Sequence, residues 1–169
     1  MEYEFSQKVS RDDYIAFVTN HIKKSFLKLS NILLFTISIG YLVISPFVLG
    51  EQDFTFMYIG LGIVALLTAM VFYVRKNAGK TYDRNPDAFD MTYRLDEEKL
   101  TYIVPEGEIE KPWEEFHSLY ETEDYLYLYV NKNSGLVFVK SQVTSEQLAF
   151  IIGHGKVNMK PKHIKLLKK

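Results

Sequence analysis

The sequence predicts a membrane α-hairpin of two transmembrane helices joined to a small cytoplasmic α+β domain, β-rich with a C-terminal helix. Three observations carry this. Leu29 to Gly50 and Phe54 to Val74 are runs of 22 and 21 residues without Asp, Glu, Lys, Arg or His, and at ~1.5 Å per helical residue about 20 such residues cross the ~30 Å hydrocarbon layer. Only Glu51, Gln52 and Asp53 separate them. From Phe89 onward the apolar residues alternate instead, the period of a strand. A soluble core pair is a poor alternative, because helices apolar all round must be enclosed on every side and the rest of the chain also has its own core to build. A secretory signal fits poorly too, since a long charged stretch precedes the first run and no early cleavage pattern is present.

The chain divides into residues 1–28, a strand and an amphipathic helix; 29–74, the hairpin, with spans 29–50 and 54–74; 75–85, a basic linker; 86–155, the β-rich domain; and 156–169, a basic tail. In the first segment Tyr3, Phe5 and Gln7 alternate with Glu4, Ser6 and Lys8 as in a short strand, one that would complete the C-terminal sheet. Ser10 reads as a helix N-cap, with Asp12 and Asp13 in the first turn, where acids complement the helix dipole. Tyr14, Phe17, Val18, His21, Ile22 and Phe26 then recur at helical spacing. This stripe is expected to cover the C-terminal domain rather than lie on the membrane, because Asp12 and Asp13 are unfavourable at an anionic surface.

Within the spans, Ser38, Gly40, Gly60, Gly62, Ala65 and Ala69 are small enough to let helices approach closely, either to pack the hairpin on itself or to form a homo-oligomer. Pro46 should kink the first helix or loosen its last turn. No ionisable side chain sits at membrane depth, which argues against a proton relay or transport site. Lys23, Lys24 and Lys28 precede the first span, and Arg75, Lys76, Lys80 and Arg84 follow the second, whereas the turn carries Glu51 and Asp53 and no basic residue. The positive-inside rule therefore places both termini in the cytoplasm, with the protein a multi-pass component of the cytoplasmic membrane.

In residues 86–155, Phe89, Met91, Tyr93 and Leu95 form one arm of a hairpin. The chain turns at Asp96 to Lys99, and Leu100, Tyr102 and Val104 form the other arm, before a break at Pro105-Glu106-Gly107. A second hairpin runs from Tyr125 to Val130 and from Leu136 to Val139, around Asn131 to Gly135. Thr144 and Gln147 form a capping-box pattern for a closing helix, which Gly153 and Gly155 end. Trp113 and Phe116 are expected to anchor the core. Leu126, Leu128 and Val130 fill its inner face, which leaves Tyr125, Tyr127 and Tyr129 as a face that could pack under a helix, meet the membrane interface or bind a partner; it is the candidate partner surface.

The ordered set of a two-helix hairpin, Pro112-Trp113-Glu114-Glu115-Phe116, Glu121 to Tyr129, Gly135 to Lys140 and a final helix resembles the bacterial YcxB-like proteins. The resemblance covers essentially the whole chain and is strongest over residues 112–152. It implies that the C-terminal domain is PH-like, attached to the bacterial inner membrane, and it brings no enzymatic activity with it.

Chemistry is sparse. There is no cysteine, and His21, His117, His154 and His163 lack metal-ligand spacing. No phosphate loop, nucleophile elbow or dinucleotide fingerprint occurs, so neither a cofactor nor catalysis is expected. Residues 86–155 carry 14 acidic against five basic side chains, too few cations for a dense phosphoinositide-binding loop. The tail lysines Lys162, Lys165, Lys168 and Lys169, with Lys76 and Lys80, are candidate contacts to an anionic inner leaflet at ~1 kcal/mol each, although the tail could equally be a floppy solubilising segment. Nucleic acid is not an expected partner, because the tail has no interleaved aromatics. The expected function is a membrane-anchored interaction module that binds a protein partner or a copy of itself. The alternative is a sensor or accessory subunit of a membrane enzyme or transporter, which a pocket of titratable groups around His117 or the carboxylate turns would favour. Reporter fusions at either terminus should read cytoplasmic; an extracytoplasmic C-terminus would overturn the topology.

Overall fold

The computed structural model describes residues 2–26, 29–48, 54–104 and 107–167. Lys28, the turn Glu51 to Asp53, Pro105 and Glu106, and Lys168 and Lys169 lie outside the described residues, as do the side chains of Lys23, Lys24 and Pro46. The chain forms two compact units, Val18–Lys80, and Met1–Phe17 with Thr81–Lys169.

Helix α1 is Arg11–Phe26, α2 is Leu29–Val48 and α3 is Thr55–Arg84. Among the described residues one helical segment, Met57–Arg84 in α3, is long and apolar enough to cross a membrane, with a mean hydropathy of 2.2 over its most apolar stretch. That stretch is almost wholly exposed, unlike a soluble core helix: Leu66, Phe72 and Tyr73 lie open on α3, as Ile37, Tyr41 and Phe47 do on α2. The two helices meet at Gly60, where a Cβ would stand 3.1 Å from the Leu42 Cβ, and Phe47 meets Phe54 edge-on at 6.0 Å. Gly40 and Gly62 face open space, and Ala65 and Ala69 are exposed, so the small residues do not form one packed seam. Thr68 returns its hydroxyl to the Val64 carbonyl at 2.9 Å, satisfying it within the helix. The expected linker 75–85 is not a separate element: α3 runs through it to Arg84, since Arg75 to Lys80 holds no proline and its one glycine is tolerated.

In the other unit, β1 (Tyr3–Lys8), β2 (Asp90–Leu95), β3 (Lys99–Val104) and β4 (Gly107–Pro112) form one antiparallel sheet in that order. Strands β5 (Ser118–Glu121), β6 (Tyr125–Tyr129), β7 (Gly135–Val139) and β8 (Ile164–Lys165) form a second, ordered β7-β6-β5-β8. The N-terminal strand thus joins the sheet, with Phe5 opposite Tyr93 and that residue opposite Tyr102. Phe89, expected in the strand, sits in a short 3-10 turn opened by Pro86. Alternation gives the first sheet an apolar inner face and an ionic outer one, where Arg94 meets Glu4 at 3.3 Å and Glu108 at 3.7 Å, and Lys99 meets Glu110 at 2.7 Å. The β2–β3 turn is shaped by the Asp96 carboxylate, which accepts from the Glu98 and Lys99 amides at 2.8 and 2.7 Å. Gly107, with φ of 142°, opens β4 in a conformation that a side chain disfavours.

The two sheets share one core, built of Tyr93, Leu95, Leu100, Trp113, Leu126, Leu128, Phe138 and Ile151 among others. They are joined through side-chain amides. Buried Gln7 donates from Nε2 to the Val137 carbonyl and accepts the Val139 amide at 3.1 Å, both on β7. Gln142, just past β7, returns the arrangement: its Oε1 accepts the Lys8 amide and its Nε2 donates to the Lys8 carbonyl, each at 3.0 Å.

Helix α4 (Ser145–Asn158) opens with the expected capping box, Thr144 Oγ1 accepting the Gln147 amide at 3.2 Å and Gln147 Oε1 accepting the Thr144 amide at 2.9 Å. It does not end at Gly153 or Gly155. Neither glycine takes the left-handed conformation of a C-cap, and Gly155 instead faces Leu119, where a Cβ would come within 2.9 Å of Cδ2. The tail is not free either. Ile164 and Leu166 pack against the core, β8 pairs parallel to β5, and the Leu167 amide donates to Glu121 at 3.1 Å.

Replacing Gln7 with Leu leaves buried Val137 and Val139 backbone groups unpaired and should destabilise this unit by about 2–4 kcal/mol, whereas the exposed Gln142→Ala costs about 1 kcal/mol or less. Trp113, the only tryptophan, makes intrinsic fluorescence during denaturation a measure of this unit alone.

Candidate functional site

The predicted partner surface is corrected by the structure. Tyr127 and Tyr129 are buried, at 0% and 2% exposure, and only Tyr125 is partly open. Their cover is the first half of α1. Its start is fixed by Ser10 and Asp13, where the Asp13 amide donates to Ser10 Oγ at 3.2 Å and Asp13 Oδ2 accepts the Ser10 amide at 2.9 Å. The other Asp13 oxygen accepts the Tyr125 hydroxyl at 2.7 Å. One turn on, Phe17 lies over Tyr127 and Tyr129, with ring centroids 5.6 and 6.0 Å away. Because leucines fill the other face of β6, this strand is buried on both sides, and an alternating pattern cannot distinguish a helix-covered face from an open one.

Trp113 and Phe116 lie in the core. Trp113 Nε1 donates to the Asp96 carbonyl at 2.9 Å, and the indole stacks on His154 at 4.9 Å, so it pins the β2–β3 turn to α4. Lys76 and Lys80 are exposed on α3, and Lys165 is exposed on β8. Lys140 is drawn into a partly buried ion pair with Glu121 at 2.7 Å.

A cleft of about 470 Å³ lies between residues 114–117, the β6–β7 loop and the segment after α4. Phe116, Val130 and Met159 supply apolar lining, Lys132, Lys160 and Lys162 supply cationic groups, and His117 and His163 add two imidazoles. Three local devices set it. The Asn131 side chain accepts the Asn133 and Ser134 amides at 2.8 and 2.9 Å, folding the loop that carries Lys132. The His163 amide donates to the Lys160 carbonyl at 2.8 Å in a 3-10 turn begun by Pro161. His117 donates its amide to the Tyr129 carbonyl at 2.7 Å, and its own carbonyl lies 2.9 Å from His163 Nδ1. A carbonyl only accepts, so Nδ1 of His163 carries hydrogen. The two imidazoles are 4.9 Å apart. Among the described residues no three His, Cys, Asp or Glu side chains gather as a metal site requires.

Sequence reasoning missed this cleft because His117 and His163 are 46 residues apart. The available signal was the alternation of Ile164 and Leu166 with Lys165, a strand pattern of only two paired residues.

The family model described as YcxB-like protein matches residues 95–154. The resemblance read from the motifs is therefore upheld over the segment that holds β3 to β7 and most of α4. No curated protein and no solved structure matches the chain significantly. One wall of the cleft, residues 114–132, falls inside the matched segment, and the other, residues 158–163, lies beyond it.

Burial pushes the Tyr129 phenol up to about 12, and it raises Tyr93 and Tyr125 as well, with the Asp13 carboxylate adding to the effect at Tyr125. The fold disfavours the phenolate, so above pH ~10 the unfolded chain loses these protons first and stability falls as pH rises. Full stability below pH ~10 should give way between there and about 12, with tyrosinate absorbance and loss of Trp113 fluorescence changing together. Tyr125→Phe, which lacks the bond to Asp13, should cost about 1 kcal/mol at neutral pH.

Proposed function

We propose that the protein is a membrane-anchored, PH-like interaction module of the inner membrane that performs no catalysis. In this reading α2 and α3 both span the bilayer, the basic flanks hold both termini in the cytoplasm, and Lys76, Lys80, Lys162, Lys165, Lys168 and Lys169 meet the anionic leaflet. The observation that carries it is the exposed apolar surface of α2 and α3, where Ile37, Phe47, Leu66 and Phe72 are each 69% exposed, a state that water does not favour and lipid does. The PH-like assignment rests on the motif resemblance, supported by two sheets around one core with a helix against it.

With the tyrosine face covered, the free edge of β4 becomes the partner surface. It is the outermost strand of its sheet, its central Ile109 is 43% exposed, and Glu108 and Glu110 are already met by Arg94 and Lys99. An extended segment of a protein partner, or of a second copy, adds to such an edge through main-chain hydrogen bonds. A second reading, a sensor or accessory subunit of a membrane enzyme or transporter, is favoured by the cleft beside His117.

A photoreactive residue at position 109, activated in native membranes, should yield a discrete heavier adduct that a probe at exposed Glu123 does not. Monomer alone at both positions would remove the interaction reading.

A further inference from the structure

We propose that the cleft between His117, the Lys132 loop and the Lys160–His163 turn is a binding site for a phosphate monoester, a group carried by a free metabolite or by a lipid head.

The first argument is the pairing of the lysines. Lys8, Lys99, Lys111 and Lys140 each hold a carboxylate at 3.1 Å or less. Lys132, Lys160 and Lys162 have no ion pair among the described residues, although they belong to a unit rich in acids. Of the two acids in the lining, Glu115 is taken by Lys111 at 2.8 Å, which leaves Glu114. Lysines without an ion pair that line one concavity make it suited to an anion.

The second argument is the kind of donor. Ammonium groups offer three hydrogens each and accept none, so the complementary ligand presents acceptors only. His163 has committed Nδ1 to a backbone carbonyl, which leaves Nε2 as its ring nitrogen for a ligand. Three lysines match the double charge of a phosphate monoester better than the single charge of a carboxylate. The third argument is shape: about 470 Å³ is within the ~300–1,000 Å³ usual for small-molecule sites. Phosphate alone does not need Phe116, Val130 and Met159, but an ester's carbon skeleton does. The position of Lys160 and Lys162 depends on Pro161, on the His163–His117 bond and on β8, so the cationic wall is held by structure rather than by a loose tail.

The test uses the full chain in phosphatidylcholine nanodiscs, with the ring signals of His117 and His163 followed by NMR at constant ionic strength. Glycerol 3-phosphate should shift both signals saturably, and inorganic phosphate should do so more weakly because it lacks the carbon skeleton. The combined Lys132→Gln, Lys160→Gln and Lys162→Gln variant should bind at least about tenfold more weakly. The corresponding Lys→Arg variant should retain binding, and Lys156→Gln, on the exposed side of α4, should behave as the parent. Nanodiscs containing phosphatidic acid, with no soluble phosphate, separate the sources: shifts of the same two rings there assign a lipid head, and shifts with glycerol 3-phosphate alone assign a soluble ligand. Absence of a saturable shift with every probe would overturn the proposal, as would an unchanged response in the triple Gln variant.

Discussion

The two sheets share one core with the edge of β7 capped by a side-chain amide, that of Gln7 on β1, rather than by the backbone of another strand. Val137 and Val139 are nearly buried, and their outward carbonyl and amide would each cost about 1–3 kcal/mol if left without a partner. Gln7 supplies an acceptor and a donor at the end of one side chain and serves both groups. A glutamate at this position would set an oxygen against the Val137 carbonyl, and an asparagine is one methylene shorter. Gln142 does the same for the backbone of Lys8. The sandwich is closed by side chains imitating a neighbouring strand, and the residue that does most of this lies in the first eight of the chain. The β unit therefore cannot be completed from residues 86–155 alone. The intervening apolar helices make the closing loop long, but closure entropy grows only as the logarithm of length, so the separation costs little in stability and acts mainly on folding rate.

That closure also explains where the aromatic residues go. Strand β6 carries tyrosines on one face and leucines on the other, and a domain this small gains most if both are buried. The leucine face meets the sandwich core, and the tyrosine face is covered by α1, which follows β1 directly in sequence. Asp13 links these events, since one oxygen caps the helix and the other receives the Tyr125 hydroxyl. The same short N-terminal segment thus supplies a strand to one sheet and a cover to the other. The raised phenol of Tyr129 is the electrostatic consequence of that cover.

Elements with a strong period or a local cap were legible in the sequence. The strand at Tyr3 to Lys8, the Ser10 and Thr144 caps, the two hairpins and the anchoring role of Trp113 all follow from chemistry within a few residues. Strands β4, β5 and β8 were not legible. In β4 one isoleucine stands among charges, of which Glu108 and Glu110 are met by Arg94 and Lys99 on other strands, β5 has four residues, and β8 has two. The end of α4 was misread because Gly155 serves close packing on Leu119 rather than a turn, a distinction that depends on a residue 36 positions away. The candidate cleft was invisible for a similar reason: its walls are tertiary, and no local pattern joins His117 to His163.

The way the tail docks bears on what the surface is for. A segment with six lysines beside an acidic body should lie down by forming ion pairs if charge were the cause of docking. Among the described residues, none of Lys156, Lys160, Lys162 and Lys165 forms one. The tail is held instead by the parallel pairing of β8 with β5, by Ile164 and Leu166 against the core, and by the Leu167 amide on Glu121. Exposed pairs contribute little to stability, so their absence costs the fold little. It has a different effect: the lysines stay charged, hydrated and available on a surface whose surroundings are negative. Apolar and main-chain contacts fix the backbone, so Lys132, Lys160 and Lys162 keep their ammonium groups out of ion pairs among the described residues after folding.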